Sequence, residues 1–288
     1  MAGGAGSPVA AGDSLAATAR EGEPDRYLAA LLAPPPARDG LLALAAFASE
    51  LARIPQFVTR EPAMGEIRLQ WWRDALDQPD ATRTGHPVAD ALREAAVCHK
   101  LPRELLHDMI DTRSRDLQRE PLADDLALAN HLWKTEGTQF VLAGHMLGAP
   151  ARSRVETAAA AGARAYGLAR LLLGLPHALA RGRMPLPVAR LEAAGVRPAD
   201  LLAGTASPAL DGVLAALRAD IRRDLAASRQ HVAELPRGLR TAFLPLALVG
   251  PYLRVLERAG RHPLRESVEI GPLTRVCRIA AAHWLRRL

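Results

Sequence analysis

Apolar residues recur at intervals of three and four along most of the chain, a spacing that predicts a succession of helices. Leu41, Leu44, Phe47, Leu51 and Ile54 stripe one face of a segment over residues 37–54. Pro55 should kink or end that helix, because proline has no amide to donate. Residues 61–76 set Met64, Ile67, Leu69, Trp71 and Trp72 among Arg68, Arg73 and Asp74. Adjacent helical positions diverge by about 100°, so at most one of the two tryptophans need face the interior. Helices are also expected over 88–99 and 102–119, the latter with Pro102 in its first turn, where a missing amide is harmless. The longest periodic stretches are 124–147 and 153–173, separated by Gly148, Ala149 and Pro150. Segments 210–235, 236–260 and 272–288 complete the set, and a short helix over 27–32 should stop at the three prolines 34–36.

Composition agrees with an all-α protein. Hydrophobic residues make up 49% of the 288 but aromatic ones only 4%, and alanine and leucine, which favour helix, dominate. No repeat, low-complexity linker or composition shift marks a second domain, so residues 25–288 are expected to form one helical domain. Residues 1–24 are rich in Ala, Gly and Ser but lack a basic start and an apolar block, which predicts a flexible tail rather than a signal peptide. No run of about 18 apolar residues occurs, so no membrane-spanning helix is expected.

The formal charge of +6, from 37 basic and 31 acidic residues, raises the question of a nucleic-acid partner. Arginines alternate with Asp and Glu along most helices, without a basic arm or an aromatic stacking platform, and this argues against nucleic acid. Cys98 and Cys277 are far apart with no Cys or His at metal-ligand spacing, which fits a reduced, cytoplasmic setting, peripheral to the inner membrane if it touches a membrane at all. The nine histidines include no zinc-binding pattern; His107, His131, His145 and His177 read as capping or buried polar residues.

Two stretches carry a more specific signal: FASELAR at 47–53 with MGEIRLQWWRDAL at 64–76, and GARAYGL at 162–168 running to RGRMPLP at 181–187. Together with Asp116 and Leu117, TEG at 135–137 and AFLPLAL at 242–248, they resemble the squalene/phytoene synthase family over roughly residues 24–285. The resemblance implies an isoprenoid synthase-type helical bundle around an apolar cavity. Family enzymes there condense two prenyl diphosphates head to head, using Mg²⁺ held by two aspartate-rich segments to stabilise the leaving diphosphate. Carboxylates four residues apart suit this task because positions i and i+4 share a helix face.

Aligned on those motifs, the first carboxylates fall at Ala52, Arg53 and Gln56, and the second at Gly174 and Ala178; none is acidic in this chain. The family's Asn and Gln ahead of the second motif correspond to Arg170 and Gly167, and the tyrosine expected after Arg-Gly-Arg is Pro185. Asp220 and Asp224 have the right spacing to substitute, but Arg218, Arg222 and Arg223 surround them, which predicts an exposed, salt-bridged face. No metal ligands are therefore assigned. Arg181 and Arg183 keep the family arrangement and are candidate phosphate-binding residues through fork-like guanidinium hydrogen bonds; the alternative is that they cap helix-end carbonyls.

Residues 50–53 and 67–72 look most like the branch of the family related to a mitochondrial respiratory complex I assembly factor, which also lacks the aspartate motifs. The expectation is a non-catalytic relative without a cofactor, acting through contacts with a protein partner such as a respiratory complex subunit. Two other readings stay open. One is a head-to-head prenyltransferase with displaced ligands and Mg²⁺ as cofactor; the other is a binding module whose cavity holds a prenyl lipid or quinone.

Overall fold

The computed structural model describes residues 8–57, 61–79, 82–150, 154–258 and 260–285, and no strand occurs among them. Its contacts divide the chain into two compact units, residues 1–117 with 142–151 and residues 118–141 with 152–288, where the sequence predicts one domain. Six helices precede the first boundary: α1 (Pro8–Gly22), α2 (Pro24–Leu31), α3 (Pro35–Phe57), α4 (Pro62–Asp77), α5 (Pro87–Cys98) and α6 (Arg103–Gln118). Then come α7 (Asp125–Leu132), a π-helical turn (Trp133–Gly137), α8 (Thr138–Met146), α9 (Val155–Ala180), α10 (Val188–Ala193), α11 (Pro198–Leu202) and α12 (Pro208–Ala233). A 3₁₀ segment (Arg237–Leu248) leads into α13 (Val249–Leu256), and α14 (Pro272–Leu285) closes the described chain.

In the first unit α3 is the hub, touched by α1, α2, α4 and α5. Residues 40–49 are buried without a break, as an apolar-all-round helix must be when others enclose it. Phe47 meets Trp72 edge-on at 5.0 Å, and Trp72 is buried while Trp71 is 39% exposed, as the divergence of adjacent helical positions requires. Residues 8–22, expected within a flexible tail, instead form α1, which packs on α3 and buries Leu15 and Ala19. Its alanines favour helix despite Gly12, Asp13 and Ser14 once α3 offers an apolar face. Only the first seven residues of that expectation lie outside the described residues.

The second unit is organised by the 26-residue α9 against the equally long α12. Alanines 158, 159, 161, 163 and 165 are buried, and such small side chains let the helices approach closely. Ser228 lies fully within that contact and donates to the Ala158 carbonyl at 3.2 Å. Phe140 stacks on Phe243 at 5.1 Å and meets Tyr166 at 6.0 Å, joining α8, the 3₁₀ segment and α9. α9 runs seven residues past its expected end, through Pro176, because Leu175 and Leu179 are buried on its far side. Residues 237–248 are 3₁₀ rather than α, with Pro245 removing an amide from the middle of the segment. The stretch Arg237–Leu256 is long and apolar enough to cross a bilayer, but 78% of it is buried within the chain, as in a core helix.

Candidate functional site

The first set of positions lies near the C-terminal end of α3. Ala52 and Gln56 share a face, one turn apart, and the exposed Gln56 amide donates to the Ala52 carbonyl at 3.0 Å. Arg53 turns toward α1, its Nη1 3.8 Å from the Glu21 carboxylate, with the two side chains 40% and 73% exposed. A methyl group, a guanidinium and an amide occupied with its own helix do not make a Mg²⁺ site, which calls for several carboxylate or carbonyl oxygens.

The second set closes α9. Gly174 and Ala178 lie one turn apart, and a Cβ at Gly174 would meet open space. The helix then ends in a Schellman motif: Gly182 adopts φ +69°, its amide bonds to Leu179 O at 2.9 Å, and the Arg183 amide bonds to Ala178 O at 2.9 Å. Only glycine takes that left-handed conformation without strain, which explains its place between the two arginines. Backbone amides thus satisfy the terminal carbonyls, so the helix end does not need guanidinium side chains as caps. Arg181 is exposed and makes no side-chain hydrogen bond or ion pair with another described residue, and Arg183 is half-buried. Beside them, Ser267 and His177 Nε2 are hydrogen-bonded at 2.9 Å.

Upstream on α9 the geometry holds a feature that sequence reasoning did not find. Arg170 Nη1 lies 3.1 Å from Glu136 Oε1, with the carboxylate side chain 12% exposed, and the guanidinium also sits 5.4 Å from the Tyr166 ring centroid. Glu136 belongs to the π turn, a helical defect that often re-aims side chains at functional sites. Thr135 Oγ1 donates to the His131 carbonyl at 2.8 Å and Thr138 Oγ1 to the Trp133 carbonyl at 3.2 Å, holding the turn. Gly167 makes room for it: an added Cβ would approach Leu132 Cδ2 at 2.8 Å and Glu136 Cγ at 3.0 Å. The two positions that the resemblance assigns to the family's Asn and Gln therefore hold an ion pair and the space that it needs. Thr135, Glu136 and Gly137 were visible in the sequence, but a pairing across 34 residues left no periodic signal.

Other carboxylates of this unit are likewise matched to arginines. Asp224 accepts from Arg164 Nη2 at 3.0 Å, and Asp220 from Arg190 at 2.6 Å and Arg223 at 2.8 Å. They are salt-bridged as expected but not fully exposed, since Asp224 is buried against α9's partner face. Burial disfavours the Arg190 charge, yet the hydrogen bonds it donates to Asp125 and Asp220, and their negative charges, outweigh this and raise its pKa. Among the described residues no group of three or more His, Cys, Asp or Glu is placed to hold a metal ion.

A cavity of about 320 Å³ lies in the first unit beside Asp90, Arg93 and Cys98. Asp90 and Arg93 in its wall are committed to structure. Burial would raise the Asp90 carboxyl, but hydrogen bonds from Thr84 and Gly85 and the nearby Arg83 hold it below the ordinary aspartate value. Arg93 clasps the carbonyls of Gln78, Pro79 and Thr82.

The squalene/phytoene synthase family is matched over residues 19–274, and the chain belongs to it. Its fold is that of squalene synthase HpnC from Alicyclobacillus acidocaldarius, with TM-score 0.75, 19% identity and coverage of 88% of this chain and 97% of that one. A dehydrosqualene synthase in complex with ligand aligns with TM-score 0.79 and 16% identity over 96% and 97% of the two chains. In sequence the chain is similar to the Bos taurus protein named NADH dehydrogenase (ubiquinone) complex I, assembly factor 6. The two are 27% identical over 263 residues, which is 88% of this chain and 78% of the bovine protein. The homolog of Drosophila melanogaster is 25% identical over 245 residues, 82% and 72% of the two chains.

Proposed function

We propose that the protein is a non-catalytic member of its family that acts in the assembly of a respiratory complex through protein contacts, with a subunit of that complex as partner and a cytoplasmic location. The observation that carries this reading is the set of side chains at the five motif positions. Ala52, Arg53, Gln56, Gly174 and Ala178 offer no carboxylate oxygen, and diphosphate ionisation by Mg²⁺ needs several. The similarity to proteins named as complex I assembly factors supports the same conclusion from a different direction.

A ligand role for Arg181 and Arg183 remains compatible with it, as an anchor for the head group of a prenyl phosphate in a protein that no longer turns it over. The test of the assembly role is made in the organism that encodes the chain. Deleting the gene should deplete the fully assembled NADH dehydrogenase on a native gel while its separate subunits are still made. Full assembly in the deletion strain would overturn the reading.

A further inference from the structure

We propose that Arg218, Arg222 and Arg261 form a binding site for a phosphate group, between α12 and the turn that follows α13. Arg218 and Arg222 lie one turn apart on α12 and therefore share a face. Both are directed at the same carboxylate oxygen of Glu257, the residue directly after α13: Arg222 Nη2 donates to it, and Arg218 Nε lies 3.7 Å away. Arg261, a few residues further on, donates from Nη1 to the Glu266 carbonyl at 3.0 Å. Burial and the charge of Arg218 push the Arg261 guanidinium below the ordinary arginine value, and the opposite charge of Glu266 offsets this only in part.

The charges here are unbalanced, and Arg190 makes the contrast. There two carboxylates, Asp125 and Asp220, engage one guanidinium and raise its pKa. At Glu257 a single carboxylate is shared by two guanidiniums, with a third beside them. Each guanidinium is a planar fork of N–H donors, and phosphate oxygens accept from such forks in pairs. Glu257 fills the place with one negative charge; a phosphate monoester or free phosphate brings nearly two, with three acceptor oxygens, and displaces it. The way in is open, since the Arg222 side chain is 52% exposed and that of Glu257 35%. Residues 251–288 contain eight arginines and three glutamates, with no lysine or aspartate, so nearly all of the chain's net charge of +6 lies in this stretch and draws anions toward it. The proposal is independent of whether the chain is an enzyme, because none of the three arginines is a motif position.

The test titrates the full chain with inorganic phosphate at constant ionic strength, read by calorimetry, and sediments it with phosphatidylcholine vesicles that hold or lack phosphatidic acid. Saturable phosphate binding is expected, and Arg218→Gln with Arg261→Gln should weaken it about tenfold. Glu257→Gln should tighten it about fivefold, because it removes the competing carboxylate and keeps the side-chain volume. A purely structural cluster would instead show a lowered unfolding midpoint in that variant and no gain in phosphate binding, which would overturn the proposal. Arg181→Gln with Arg183→Gln should leave the titration unchanged; loss of binding in that variant alone would overturn it too. Co-sedimentation with the phosphatidic acid vesicles, abolished by the Arg218 and Arg261 substitutions, would support the proposal with a lipid as the source of the phosphate. Saturable titration without co-sedimentation would support it with a soluble phosphate as the source. An unaltered chain that phosphate does not titrate would overturn it, whatever the vesicles do.

Discussion

The ends of α3 and α9 hold the two stretches onto which the sequence resemblance maps the family's metal-binding aspartates, and the side chains found there differ in kind. On α3 the side chain is a cation at the surface: Arg53, aligned with a family carboxylate, reaches Glu21 loosely, with both groups well exposed. On α9 the corresponding positions are the small Gly174 and Ala178, and the distinctive contacts lie upstream in the packed interior. There Gly167 admits the π turn, and Arg170 pairs with a Glu136 that has little access to water. A charge swapped on a surface costs little to swap back, whereas a site rebuilt by packing is held by every neighbour that moved in. The difference teaches that restoring aspartates would reopen the first stretch far more readily than the second.

The largest expected change is therefore one of kind. Introducing Asp together at Ala52, Arg53, Gly174 and Ala178 should create Mg²⁺-dependent binding of farnesyl diphosphate, read by calorimetry, while turnover stays absent. Binding needs ligands, but turnover also needs the placement that the rebuilt region no longer provides. Turnover in that variant would erase the distinction between the two stretches.

Gly167→Gln, which introduces the family residue, should lower stability by about 3 kcal/mol in urea unfolding, since its Cβ alone collides with Leu132 and Glu136. Glu136→Ala should cost about 2 kcal/mol in the same measurement, because the Arg170 guanidinium loses its charged hydrogen bond in a partly buried setting. Arg53→Asp should change the thermal midpoint by the equivalent of no more than about 1 kcal/mol, as expected for an exposed pair. If Arg53→Asp proved as damaging as Gly167→Gln, the contrast would fail. The smallest effect has the opposite sign: Gly174→Ala should stabilise by about 0.5–1 kcal/mol, because it faces open space and removes backbone freedom from the unfolded chain.

Most of the helices could be read directly from the periodicity of Leu, Ala and Phe, since α3, α4, α9 and α12 each bury at least one apolar stripe and their spacing follows from that. The absence of carboxylates at Ala52, Arg53, Gln56, Gly174 and Ala178 is read from the sequence alone, while their correspondence to the family's metal motifs rests on the resemblance. Three features escaped. Residues 8–22 carry too little polarity contrast to announce a helix, which depends on α3 to dock it. The Arg170–Glu136 pair depends on two segments meeting at a π turn, and no local pattern encodes that register. Leu273, Val276 and Trp284 of α14 have the same spacing as a core stripe, so only exposure distinguishes them.

The central claim is that this chain performs no prenyl-diphosphate chemistry. It is tested most directly by incubating the purified, unaltered protein with farnesyl or geranylgeranyl diphosphate and Mg²⁺ or Mn²⁺, beside an active squalene synthase, and measuring diphosphate release and hydrocarbon products. The account predicts release no faster than in buffer with the metal alone. Metal-dependent release with a condensed hydrocarbon product would contradict it and would require carboxylates from elsewhere in the chain to serve as the metal clamp.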